Sequence, residues 1–187
     1  YSNADNGVAV GNDSTVTAGA KSAVALGFHA RAGSNNNGDV TYDGASTFVP
    51  NDGASAVAIG DHAISRGQHN IAIGKNALTT NKDKAGAFSQ DSVAIGSGAE
   101  TIAASSAIAL GKGARVGVRG SNAGADSAIA IGDQANATGL DATAIGHSAQ
   151  AGKSGLAAGS NANAAGVNSV ALGNAAQTTT EGAVAIG

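Results

Sequence analysis

Four histidines and thirteen carboxylates are the side chains through which this 187-residue chain could do chemistry. His29 and His62 each stand two residues after a glycine that closes a recurring phrase, so they occupy equivalent turns, and His69 follows His62 by seven residues. Imidazoles at one turn position could gather a metal ion. No cluster has the spacing of a zinc site, however, and there is no cysteine to complete one. The expectation is polar turn residues, with no metal and no cofactor. Among the carboxylates, Asp39, Asp43 and Asp52 gather in one insertion while Asp61 and Asp133 sit at turns. Glycoside cleavage needs two carboxyl groups facing each other across a groove, and enzymes that cleave polysaccharides on a solenoid add aromatic platforms. With two Tyr, three Phe and no Trp, this chain has few to offer. A nucleophile elbow or phosphate loop in a strand-turn-helix setting is missing, as is the calcium-binding pattern G-G-x-G-x-D. The chain reads as a non-enzyme.

What positions these residues is a repeat. A small residue, then Val or Ile, Ala, Ile or Leu, and Gly, recurs with variations eleven times, closing at Gly11, Gly27, Gly60, Gly74, Gly96, Gly111, Gly132, Gly146, Gly159, Gly173 and Gly187. Successive closings are 16, 33, 14, 22, 15, 21, 14, 13, 14 and 14 residues apart, so the basic unit is 14. One such unit buries too little apolar surface to fold alone, but stacked units share a continuous core. In the unit 126–139, Ala128–Ile131 is a short β-rich run whose alternate side chains share a face. Gly132-Asp133-Gln134 has turn composition, and Ala135, Ala137 and Gly139 alternate with Asn136 and Thr138 as a second strand with a small inner face. Each repeat therefore predicts two short strands and two turns. Eleven coils stacked at about 4.8 Å make an all-β roll roughly 50 Å long.

Composition bounds the rest. There are 29 Gly, one Pro and neither Cys, Met nor Trp, and the hydrophobic fraction of 42% argues against disorder. A net charge of −3 and a pI near 5.7 argue against nucleic acid or anionic lipid as the main partner. No stretch approaches the ~20 apolar residues of a membrane helix, so no direct membrane insertion by these residues is expected. The apolar residues are mostly Ala, which makes one protomer lean and a homo-oligomer the expectation. In this reading Ile and Val fill the roll interior. The Ala column between them, including Ala58, Ala72, Ala94, Ala109, Ala130 and Ala144, then lies on the opposite strand face as the surface where chains meet.

Spacings above 14 mark insertions that leave the stack, often toward a recognition face. The longest, at about 34–53, carries Asn36, Tyr42, Phe48 and Val49, the expected ligand contacts, because aromatic side chains supply large contact area at low entropic cost. Smaller insertions lie near 79–90 and 115–124. Ice binding would need regular ranks of Thr, whereas Thr79-Thr80 and Thr178-Thr179-Thr180 are isolated.

The phrases Asp91-Ser92-Val93-Ala94-Ile95-Gly96 and Asn168-Ser169-Val170-Ala171-Leu172-Gly173, with the second half Ala135-Asn136-Ala137-Thr138-Gly139, resemble the repeat of YadA-like heads of trimeric autotransporter adhesins. The resemblance spans nearly all of residues 1–187, insertions aside. It implies a left-handed parallel β-roll, packed or intertwined as a homotrimer at the bacterial cell surface. The outer-membrane anchor and stalk would lie in C-terminal regions beyond these residues, making this only a portion of a head. By the same resemblance the function is attachment to host extracellular matrix or a host cell receptor by trivalent binding. The alternative is a structural spacer or autoaggregation module with no host ligand of its own. Collagen-binding heads of the family carry N-S-V-A-I-G-x-x-S. Asn168–Gly173 departs from it at Leu172 and Ala176, and the stretch from Asn6 departs at Gly7 and Val10, so collagen binding is not indicated.

Overall fold

A computed structural model describes residues 2, 4–17, 20–33, 55–79, 90–119 and 124–187. Eleven three-residue strands, from β1 (Val8–Val10) to β21 (Val184–Ile186), alternate along the chain with ten two-residue strands, from β2 (Thr15–Val16) to β20 (Gln177–Thr178). Odd-numbered strands form one sheet and even-numbered strands a second, each in strict sequence order. All pairings are parallel and in register, so Ala94, Ala109, Ala130, Ala144 and Ala157 stack in one column. No helix occurs among the described residues. This is the β-roll of two strands and two turns per coil.

Two devices hold the coils in register. The backbone ladder continues from the strands into the turns: Ile129 N–H donates to Ala142 C=O at 2.8 Å, and Gln134 N–H, in a turn, donates to Lys112 C=O at 2.8 Å. The closing glycines form the second device. Gly132 has φ +131, and a Cβ there would stand 2.4 Å from the carbonyl oxygen of Gly146 in the next coil. Only glycine allows both that backbone conformation and that approach, which is why the phrase ends as it does.

The interior differs from the sequence expectation. Ala128 and Ala130 on one side of the coil, and Ala135 and Ala137 on the other, have no accessible surface, while Ile129 and Ile131 are half-buried. Alternation is as expected, but the inward set is Ala on the eleven-stranded sheet, and a mixture of Ala with Val16, Val116, Ser65, Thr79, Thr101 and Thr178 on the ten-stranded one. The four-residue connection 132–135 closes the coil tightly, and small side chains dominate the space it encloses, with Val16, Val116 and Ile102 the largest apolar groups sealed inside. Two Ala-rich clusters fill the roll, one across residues 16–63 and one across 104–176. Between them buried polar groups join the apolar ones. Ser65 Oγ donates to Asn70 C=O at 3.0 Å, Thr79 Oγ1 to Ser65 Oγ at 3.3 Å, and Ser92 N–H to Asn70 Oδ1 at 2.9 Å. These groups are buried and bonded to one another, as an interior demands.

Candidate functional site

The face left open by this packing is the outer side of the eleven-stranded sheet. Two columns run along it. One is Val8, Val24, Val57, Ile71, Val93, Ile108, Ile129, Thr143, Leu156, Val170 and Val184; the other is Val10, Leu26, Ile59, Ile73, Ile95, Leu110, Ile131, Ile145, Ala158, Leu172 and Ile186. Thr143 and Ala158 are the only breaks. Ile108, Leu110 and Ile145 are 39%, 42% and 42% exposed even in mid-stack. Continuous apolar surface of this extent marks an interaction face.

The assignment of Ala58, Ala72, Ala94, Ala109, Ala130 and Ala144 to an inter-chain surface is therefore corrected. Each is fully buried within a single chain and has nothing to present to a neighbour. The physical reason is the tight coil, which takes the Ala column of the eleven-stranded sheet inside and leaves the larger Val and Ile of the same strands on the opposite face. A signal for the right orientation was present in the sequence. Thr143 occupies a column that a buried core would not give to an unpaired hydroxyl. Asn36, Tyr42, Phe48 and Val49 lie outside the described residues, as do Asp39, Asp43 and Asp52.

Opposite the apolar face, the outward column of the ten-stranded sheet is polar except at Ile64 and Leu78. Thr15, Arg31, Arg115, Asn136, Gln150, Asn163 and Gln177 point outward. Glu100 is nearly buried on this side, accepting from Arg115 Nε at 3.2 Å and from Arg119 Nε at 3.0 Å, with a second close contact from Arg119 Nη2. The pair of guanidiniums pins the chain where the insertion near 115–124 departs.

The turn histidines do come together. His29 and His62 occupy the left-handed position of neighbouring turns, at φ 50 and 55, held by the backbone bond from His62 N–H to Phe28 C=O at 2.9 Å. Their rings meet with His29 Nδ1 3.0 Å from His62 Nε2. His29 Nε2 lies 3.0 Å from Asp13 Oδ2, and His62 Nδ1 is hydrogen-bonded to Asp61 Oδ1. Lys75 Nζ stands 3.6 Å from Asp61 Oδ2. The hydrogen bond from His62 is the largest influence on the Asp61 carboxyl; desolvation opposes it, and the bond together with the charges of His62 and Lys75 holds that carboxyl below the ordinary aspartate range. His69 is elsewhere, paired with Asp91 at 3.0 Å. The turn carboxylates Asp13 and Asp61 serve imidazoles here rather than facing each other across a groove, and no set of three or more His, Asp or Glu side chains among the described residues converges on one point.

The profile of the YadA head domain repeat matches residues 2–30, 52–77, 123–149, 151–176 and 164–187, well over half of the chain. The chain belongs to the YadA head family. No curated protein and no solved structure matches it significantly. Family membership brings an adhesin-type function in general, on a surface-exposed autotransporter, and the YadA head is a structural adhesin module rather than a catalytic one. YadA-like heads are known to form trimers.

Proposed function

We propose that this YadA head is the tip of a bacterial cell-surface adhesin, in which three copies pack with their Val and Ile columns toward a common axis. The observation that carries the reading is the continuous apolar face of the eleven-stranded sheet. Covering the remaining exposed part of each Val, Ile or Leu contributes on the order of 1 kcal/mol. With twenty such residues per chain, that outweighs the roughly 4–15 kcal/mol that association costs. The trimer presents the polar sheet outward, in three copies that add avidity. Contact with host extracellular matrix or a host cell receptor is assigned to the 34–53 insertion, through Asn36, Tyr42, Phe48 and Val49, and attachment to the outer membrane to stalk and anchor regions beyond these residues.

The test fuses this head to a trimeric coiled coil and measures binding to immobilised collagen, fibronectin, laminin and cultured host cells. Saturable binding that disappears on deleting residues 35–51 supports an adhesin with its contact site in the insertion. Binding that survives the deletion moves the site to the polar sheet. Absence of binding to every surface, together with head-to-head association, replaces host attachment by a spacer or autoaggregation role.

A further inference from the structure

Asp13, His29, His62 and Asp61 form one hydrogen-bonded row across neighbouring turns. Its three hydrogen bonds join four ring nitrogens to each other and to two carboxylates. Each outer nitrogen must carry a proton to donate to its carboxylate, which leaves one proton between the two inner nitrogens, His29 Nδ1 and His62 Nε2. Those inner nitrogens are thus oriented from behind: in each ring the other nitrogen is tied to an aspartate. This is the carboxylate–histidine arrangement that fixes the tautomer and raises the basicity of metal-ligating imidazoles. Two nitrogens bound to one ion at ~2.1 Å each stand about 3 Å apart or slightly more, close to the 3.0 Å separation found here.

The geometry points to a surface site for a divalent transition-metal ion of the imidazole-preferring kind, zinc or copper, held by His29 Nδ1 and His62 Nε2, with water in the remaining positions. Binding is a displacement: the ion takes both inner lone pairs, the shared proton leaves to solvent, and the two outer N–H groups stay on Asp13 and Asp61. Modest rotation of the two rings brings both lone pairs onto the ion, and their side chains, 34% and 49% exposed, are free to make it. Phe28 lies against the pair, stacked on His29 with centroids 3.9 Å apart and edge-on to His62 at 5.5 Å, which limits the rotation to small angles. Asp13 and Asp61 neutralise the ion's charge, and Lys75 is the cation that opposes it. Imidazole selects copper and zinc over magnesium and calcium, which take oxygen ligands.

The site also has a structural reach. His29 sits between β3 (Val24–Leu26) and β4 (Arg31–Ala32), and His62 between β5 (Val57–Ile59) and β6 (Ile64–Ser65). These are neighbouring coils whose connecting chain is the longest insertion. An ion shared by both turns staples the two coils that the chain itself links least directly.

Calorimetric titration of the 187-residue chain with zinc chloride and with copper sulfate, beside magnesium chloride, tests this. One zinc or copper ion per chain and no magnesium binding are expected. His29→Asn and His62→Asn should each abolish binding; asparagine is chosen because it accepts the left-handed backbone of both positions, and circular dichroism confirms that each variant folds. Asp13→Asn should weaken binding about tenfold through loss of the outer hydrogen bond. The double variant His69→Asn/His147→Asn should bind like the wild type. Unchanged affinity in folded His62→Asn overturns the proposal, as does absence of saturable binding or its loss in the His69/His147 variant.

Discussion

Gly132 and Gly98 show how much one hydrogen atom in place of a side chain can carry. Both have positive φ, +131 and +68, but a Cβ at Gly132 would collide with the next coil while one at Gly98 meets nothing within 4 Å. Gly98→Ala therefore meets only the left-handed penalty, about 1–2 kcal/mol. Gly132→Ala must also force apart the backbones of adjacent coils, and a loss of more than about 2 kcal/mol is expected in urea unfolding. Equal losses at both positions would refute the stacking role. At Asp61 the prediction concerns pH. Its folded pKa is depressed, chiefly by the hydrogen bond from His62, so the stabilisation is present above the unfolded aspartate pKa of about 3.9 and disappears as pH falls through the folded value. The melting-temperature difference between wild type and Asp61→Asn should be level at about pH 5–6 and close below about pH 4. A difference that persists at the lowest pH would mean the substitution acts through packing.

At the scale of the strand, Ala130 and Ile131 are neighbours with opposite fates. Ala130 is sealed between two sheets joined by a four-residue turn, so Ala130→Leu overpacks a filled space and should cost at least about 1–3 kcal/mol. Ile131 faces outward, and Ile131→Asp puts a carboxylate where one chain alone leaves it hydrated. The β-roll should keep its far-ultraviolet circular dichroism in this variant. Had Ile131 faced inward, the same substitution would have buried an unpaired charge and unfolded the coil. Loss of β signal in Ile131→Asp, with Ala130→Leu tolerated, would restore the opposite orientation.

For the whole molecule, the same Ile131→Asp change is a test of assembly. Three like charges brought to one axis oppose association, so the folded variant should sediment as a monomer where the wild type sediments as a trimer. Deleting residues 35–51 should leave the proposed trimer intact, because that segment lies outside the repeated phrase. A deletion variant that sediments as a monomer would make the insertion a bridge between protomers. Both outcomes are read by sedimentation equilibrium.

Much of this protein is written in its one-dimensional pattern. The eleven closing glycines locate eleven strands to the residue, since each three-residue strand ends immediately before one of them. The period also places His29 and His62 at equivalent turns, because register follows from counting. Which face of the strand turns inward was marked in the pattern only by Thr143, a single polar break in the Val and Ile columns. Alternation states that Ala130 and Ile131 point apart, and hydrophobicity alone favours Ile for the inside. The width of the coil decides otherwise, and that width exists only once both strands and their short turn are closed into one coil. The link from Asp13 through His29 and His62 to Asp61 is likewise tertiary: its members are up to 49 residues apart in sequence and meet only because the coils stack at one strand spacing.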